Sequence, residues 1–161
     1  MATSEPKKEQ KASAWKPGRG KLGCFEPLLG GTWVAQGSAP MMGSFRCTRT
    51  FERVLGGAYI HLRAVWEMGP RSYEEIALFG ADVEDGELSF WSFTSDKKQS
   101  RGRRAEAELP AGGFAFEADM PAGRARMLYW PAAEGDGFHF AVESKTKKGW
   151  NRFLEHRYAR A

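Results

Sequence analysis

Hydrophobic and polar residues alternate with a period of two along most of this chain. Over 58–68, Ile60, Leu62, Ala64, Trp66 and Met68 oppose Tyr59, His61, Arg63 and Glu67. Over 113–120, Phe114, Phe116 and Ala118 oppose Ala115, Glu117 and Asp119; over 137–145, Phe138, Phe140 and Val142 oppose His139, Glu143 and Lys145. This is the period of a strand with one buried face. Turn-forming pairs separate the alternating stretches, among them Gly30-Gly31, Gly56-Gly57, Gly69-Pro70, Asp85-Gly86 and Gly112-Gly113. The pattern predicts about ten strands, over 31–38, 43–54, 58–68, 71–82, 87–96, 100–109, 113–120, 123–131, 137–145 and 150–160. The only helical signal is a short turn from Lys21 to Leu29. Every connection is hairpin-sized, so the all-β chain closes most simply as a single up-and-down antiparallel β-barrel, which leaves no exposed edge. Such a barrel is wide enough inside to hold one small ligand.

Charge first suggests nucleic acid and then argues against it. The 161 residues carry 24 Lys+Arg against 20 Asp+Glu, a formal net charge of +4. Residues 1–22 hold Lys7, Lys8, Lys11, Lys16, Arg19 and Lys21 against Glu5 and Glu9, which accounts for the whole excess. The rest of the chain is balanced. The domain organisation read from this is a disordered basic tail over 1–22, with Trp15 its one large apolar residue, followed by a β-barrel over 23–161. A nucleic-acid role would rest on the tail alone, so no nucleic-acid partner is expected. No run of about 18 apolar residues exists, which excludes a membrane span. The polar start lacks the apolar segment of a secretion signal, and a cytoplasmic location is expected. Cys24 and Cys47 then read as two small, reduced, buried residues.

Four ordered segments carry a family resemblance. Leu28-Leu29-Gly30-Gly31-Thr32-Trp33 places a Gly-x-Trp at the first strand and resembles the barrel-entry motif of calycins, the superfamily of lipocalins and fatty-acid-binding proteins. Arg49-Thr50-Phe51-Glu52, then Leu55-Gly56-Gly57-Ala58-Tyr59 and Tyr73 to Gly80, and the closing Phe153 to Arg160 narrow the match. Over about residues 22–160 the chain resembles a bacterial lipocalin-like family of uncharacterised proteins related to the nitrobindins. The resemblance implies a barrel with an internal cavity, its Trp at the closed end beneath a basic side chain of the last strand. Nitrobindins bind haem through a His of that strand, and the corresponding position here is Phe153, which has no lone pair for iron. No cofactor is therefore assigned.

The three histidines are widely spaced, so no metal site is expected. His61 and His139 read as solvent-facing. His156 alternates with Leu154 and Tyr158, and with Trp150 further back, which makes this the inward face of the last strand. Phe153, Glu155 and Arg157 then point outward or cover a barrel end. Fatty-acid-binding proteins hold a carboxylate with an Arg-x-Tyr here, and His156-x-Tyr158 resembles it with the first residue changed. Arg49 shares a face with Phe45, Cys47 and Phe51, Glu75 with Tyr73, Ala77 and Phe79, and Arg126 with Leu128 and Trp130. The candidate ligand-binding set is Arg49, Tyr73, Glu75, Arg126, His156 and Tyr158, with an Arg49–Glu75 pair satisfying both charges. No catalytic residue is assigned.

Strand 87–96 is apolar on both faces, Leu88 and Phe90 against Trp91 and Phe93. Its outer face needs a cover: the N-terminal segment, Trp15, or a second copy in a homodimer. The basic cluster Lys97, Lys98, Arg101, Arg103 and Arg104 has acidic neighbours at Asp82, Glu84, Asp85 and Glu87. The leading functional expectation is a cavity that binds a small apolar or amphipathic molecule. Two others stay open: an enzyme of isomerase or cyclase type using His156, Tyr158 or Glu75, and a haem protein with a different ligand.

Overall fold

The structure, a computed structural model, describes residues 15–39 and 43–161. Most of the expected basic tail, residues 1–14, lies outside the described residues. Ten antiparallel strands form a closed barrel: β1 (Trp33–Ala39), β2 (Gly43–Val54), β3 (Tyr59–Met68), β4 (Arg71–Ala81), β5 (Leu88–Thr94), β6 (Gln99–Ala105), β7 (Phe114–Met120), β8 (Gly123–Pro131), β9 (Phe138–Thr146) and β10 (Gly149–Arg160). Each strand pairs with its sequence neighbour, and β10 closes on β1 through Trp33 opposite Arg160 and Val34 opposite Ala159. The up-and-down barrel read from the alternation is the observed fold. β6 stops at Ala105, earlier than expected, and the acidic stretch after it forms a connection that covers the outer face of β7 and β8. No helix among the described residues is long and apolar enough to cross a membrane.

The closed end is built by the chain's entry. A 3-10 turn over Gly23–Leu28 sends the fully buried Phe25 into the barrel, 4.6 Å from the Phe79 ring and 5.0 Å from Phe114 between centroids. Trp33 is also fully buried and donates from Nε1 to the Leu28 carbonyl at 2.9 Å. The Arg160 guanidinium lies 4.2 Å from the centre of the Trp33 ring, and its Nη1 donates to the Gly30 carbonyl at 2.6 Å. The basic residue above the Trp is thus Arg160, on the same strand face as His156 and Tyr158.

Trp15, the large apolar residue of the basic segment, docks on the barrel. It is only 6% exposed and packs against Phe138 and Phe114 at the closed end. The Gly18 amide donates to the Gly23 carbonyl at 2.9 Å, tying the segment down. The described part of the folded unit takes in Trp15, ahead of residue 23, because one indole buries enough apolar area to hold a polar segment in place. Trp15 therefore does not cover the outer face of β5. There Arg101 lies 5.5 Å over Trp91, while Phe93 remains 50% exposed beside Ile76, its cross-strand partner. The basic cluster finds its local acids: Arg101 pairs with the buried Asp82, and Arg103 with Asp85.

Candidate functional site

Inward-facing side chains of nine strands leave a cavity of about 590 Å³ that opens opposite the Trp33 end. Its floor and walls are mainly apolar, with the rings of Trp66, Phe79, Phe90, Phe116, Tyr129 and Phe140 among them. Gly102 makes room for one of these rings: a Cβ there would run into the Phe90 ring and the Glu117 carbonyl. Such a size and lining suit a small organic ligand. The mouth lies between the β3–β4, β7–β8 and β9–β10 hairpins, where Met68, Met120 and Phe153 meet Arg124 and Lys145.

Sheet register places the polar groups. Arg49 on β2 stands opposite Ala64 on β3, and Ala64 stands opposite Glu75 on β4. Arg49 and Glu75 thus occupy one row of the wall, two strand spacings or roughly 10 Å apart at the backbone. The small Ala64 side chain leaves the space between them open. Arg49 is 3% exposed and donates from Nε to the Tyr158 hydroxyl at 2.9 Å. Its guanidinium carbon lies 4.1 Å from the centre of the Phe140 ring. Nη1 is buried and has no hydrogen-bond partner among the described residues. A guanidinium stays protonated in proteins, so this is a fixed cation in a low-dielectric wall.

Glu75 lines the same cavity but forms no ion pair with Arg49, contrary to the expected pairing. Burial pushes its carboxyl above the usual range, and the Arg49 charge only partly offsets this. Tyr73 joins the wall one position away on the same face. Burial also raises Tyr129 to about 12 and raises Tyr158, each opposed by the Arg49 charge. These hydroxyls are neutral near pH 7. Ser92 and Ser100, whose hydroxyls lie 2.5 Å apart, add a further polar pair that the alternation pattern alone did not single out.

The last strand divides. Tyr158 is fully buried and stacks on Phe138 at 4.9 Å. His156 faces inward opposite Phe140 but does not line the cavity. It lies 4.5 Å from the Phe45 ring and 5.4 Å from Trp66, with Nδ1 buried and unpartnered among the described residues. Burial, and then the charge of Arg49, push it below the ordinary imidazole value. Trp150 departs from the expected inward face. The register of β10 shifts between Arg152 and Leu154, and this bulge at Phe153 reverses the parity of everything before it. Phe153 itself is 61% exposed at the mouth.

Arg126 is not a cavity residue. It faces the outside, donating from Nε to Glu143 Oε1 at 2.7 Å, with its guanidinium 4.4 Å over Trp150. Arg152 holds the other oxygen of Glu143 at 2.9 Å. Burial raises the Glu143 carboxyl, but the hydrogen bonds and charges of the two arginines outweigh it and hold it below the usual range. Leu128, which shares the face of Arg126, is buried because Ala107 and Leu109 of the β6–β7 connection pack over that patch. An outer face covered by a loop carries the same apolar signal as an inner one.

A His-ligated haem does not fit this cavity: no histidine or cysteine lines it, and Phe153 has no donor atom. No group of His, Cys, Asp and Glu side chains suited to a metal ion occurs among the described residues. No protein-family model matches the chain, and no curated protein matches it.

Proposed function

We propose that this barrel binds one small amphipathic molecule, its apolar body among the aromatic rings and its polar end between Arg49 and Glu75. The observation that carries this reading is the open cavity of about 590 Å³, lined by aromatic rings and bordered by the buried Arg49. A buried cation is costly unless it is paired or hydrogen-bonded, and Arg49 has the Tyr158 hydroxyl and the Phe140 ring beside the open cavity. The reading of the chain as lipocalin-like is supported by Trp33 at the closed end beneath Arg160. Burial of Glu75 favours a second reading, acid–base catalysis on the same scaffold. That reading is weaker, because His156 is turned between Phe45 and Trp66, away from the cavity wall.

Nile red, a neutral apolar fluorophore, tests the first reading. Titration should give a saturable one-to-one blue shift. Ala77→Trp, which fills the cavity from its wall, should abolish it while the far-ultraviolet circular dichroism stays that of a β-barrel. Absence of binding, or binding indifferent to Ala77→Trp, would reject the cavity as a ligand site.

A further inference from the structure

We infer that the open end of the barrel docks on an anionic lipid bilayer, with Phe153 entering the acyl layer and the lysines of the surrounding turns lying among the headgroups. This goes beyond ligand binding and holds whatever the cavity contains. Charge is balanced over residues 23–161 but is sorted between the two ends of the barrel. At the Trp33 end, the β4–β5 connection carries Asp82, Glu84, Asp85 and Glu87. There too, β6–β7 carries Glu106 and Glu108, and β8–β9 carries Glu134 and Asp136. None of these connections holds a Lys or Arg, although Lys21 of the entry segment reaches the Gly86 turn and offsets part of the charge. The described turns at the open end have the opposite sign. β5–β6 carries Lys97 and Lys98 against Asp96, and β9–β10 carries Lys147 and Lys148. Within two residues of the open-end turns stand Arg71, Arg124 and Lys145, against Glu67 and Asp119. Lys98 pairs with Asp96 at 3.4 Å and Arg124 with Asp119 at 3.3 Å. Arg71, Lys97, Lys145, Lys147 and Lys148 pair with no acid among the described residues. A dipole of this sign along the barrel axis turns the open end toward a negative surface.

Apolar groups stand inside this basic ring. Phe153 is 61% exposed, and the β10 bulge between Arg152 and Leu154 carries it to the rim. Met68 and Met120 line the mouth beside it. Lys97 holds φ at 65°, in the left-handed region that favours Gly. A turn that keeps a lysine there gives up backbone stability for a charge at its tip. An aromatic anchor ringed by long basic side chains suits the interface of an anionic bilayer. The ring leaves water, the alkyl stems follow it, and the ammonium groups stay with the phosphates. An acidic protein would span the opening and leave it unfilled. Acyl chains instead continue the apolar lining of the cavity, so an apolar molecule passes between bilayer and barrel without crossing water.

Cosedimentation of the full chain with lipid vesicles tests this. Vesicles of equal parts phosphatidylcholine and phosphatidylglycerol should bind the protein, and vesicles of phosphatidylcholine alone should not. Raising NaCl from about 0.1 M to about 0.5 M should weaken binding at least about tenfold, because the attraction of lysine for headgroups is screened. Lys147→Glu/Lys148→Glu should bind at least about tenfold more weakly than the parent. Phe153→Ser should bind about tenfold more weakly, and Phe153→Leu as the parent does. These side chains are exposed, so far-ultraviolet circular dichroism should show the β-barrel unchanged in each variant. The basic N-terminus supplies the control: Lys7→Gln/Lys8→Gln/Lys11→Gln leaves the turns untouched and should bind as the parent does. Absence of binding to the anionic vesicles overturns the inference, and so does equal binding to phosphatidylcholine alone. Binding lost in the N-terminal variant and kept in the mouth variants overturns it as well. Binding weakened by the lysine reversal but not by Phe153→Ser overturns the bilayer as the partner and leaves an acidic macromolecule in its place.

Discussion

Arg49 and Tyr158, 109 positions apart in sequence, meet inside the barrel, where Arg49 Nε donates to the tyrosine hydroxyl at 2.9 Å. The bond ties β2 to β10 beneath the cavity, close to the seam where β1 makes only two residue pairs with β10. Tyr158→Phe leaves the ring stacked on Phe138 but removes the acceptor from a buried cation. The expected loss is about 1–3 kcal/mol, the cost of an unsatisfied buried donor, read from urea unfolding. In a double-mutant cycle with Arg49→Met, Tyr158→Phe should cost much less, since no donor remains to be orphaned. Additive losses would mean that the hydrogen bond contributes nothing.

Trp15 extends the fold N-terminal to its first strand. Its indole is buried against Phe138, Phe114 and the backbone at Gly112. Trp15→Ala should therefore lower stability by about 3–5 kcal/mol, as for other buried aromatic truncations, with the barrel still formed. Guanidinium unfolding followed by the remaining tryptophans measures it, and a midpoint equal to that of the parent would return Trp15 to a loose tail.

Gly102 lies where β6 passes the Phe90 ring, and a Cβ at this position would overlap that ring and the Glu117 carbonyl. A backbone carbonyl in a ladder cannot give way cheaply. Gly102→Val should destabilise the barrel by at least about 1–3 kcal/mol, seen as a drop in Tm. Because Phe90 lines the cavity, ligand affinity should fall with it. An unchanged Tm would show that the strand moves freely there.

Period-two alternation was enough to read ten strands and their order, because each hairpin fixes its neighbour and inward positions repeat along every strand. Arg49, Tyr73, Glu75 and Tyr158 could be placed on inward faces for the same reason. The pattern could not distinguish an interior face from an outer face covered by a loop, and Arg126 beside the buried Leu128 fell to that ambiguity. Nor did alternation reveal the bulge at Phe153, which reverses the parity of Trp150. Register across three strands, which sets Arg49 and Glu75 in one row around Ala64, is a long-range property that no single segment encodes.

Glu75 makes stability depend on pH with a sign opposite to that of an ordinary paired carboxylate. Its folded-state pKa is raised by burial, so the folded protein prefers the neutral form. Below the unfolded-state value of 4.5 both states are protonated and the residue contributes no pH dependence. As pH rises from there to the folded pKa, the unfolded chain ionises first and stability falls. Glu143 runs the other way: its pKa is depressed by Arg126 and Arg152, so its contribution is present above 4.5 and is lost as pH falls through the folded value. Glu75→Gln removes the first effect and leaves the second. The variant should match the parent below pH 4 and exceed it in stability at pH 8, measured by urea unfolding of ligand-free protein across that range. A variant less stable than the parent at pH 8 would mean that ionised Glu75 gains more from Arg49 than burial costs it.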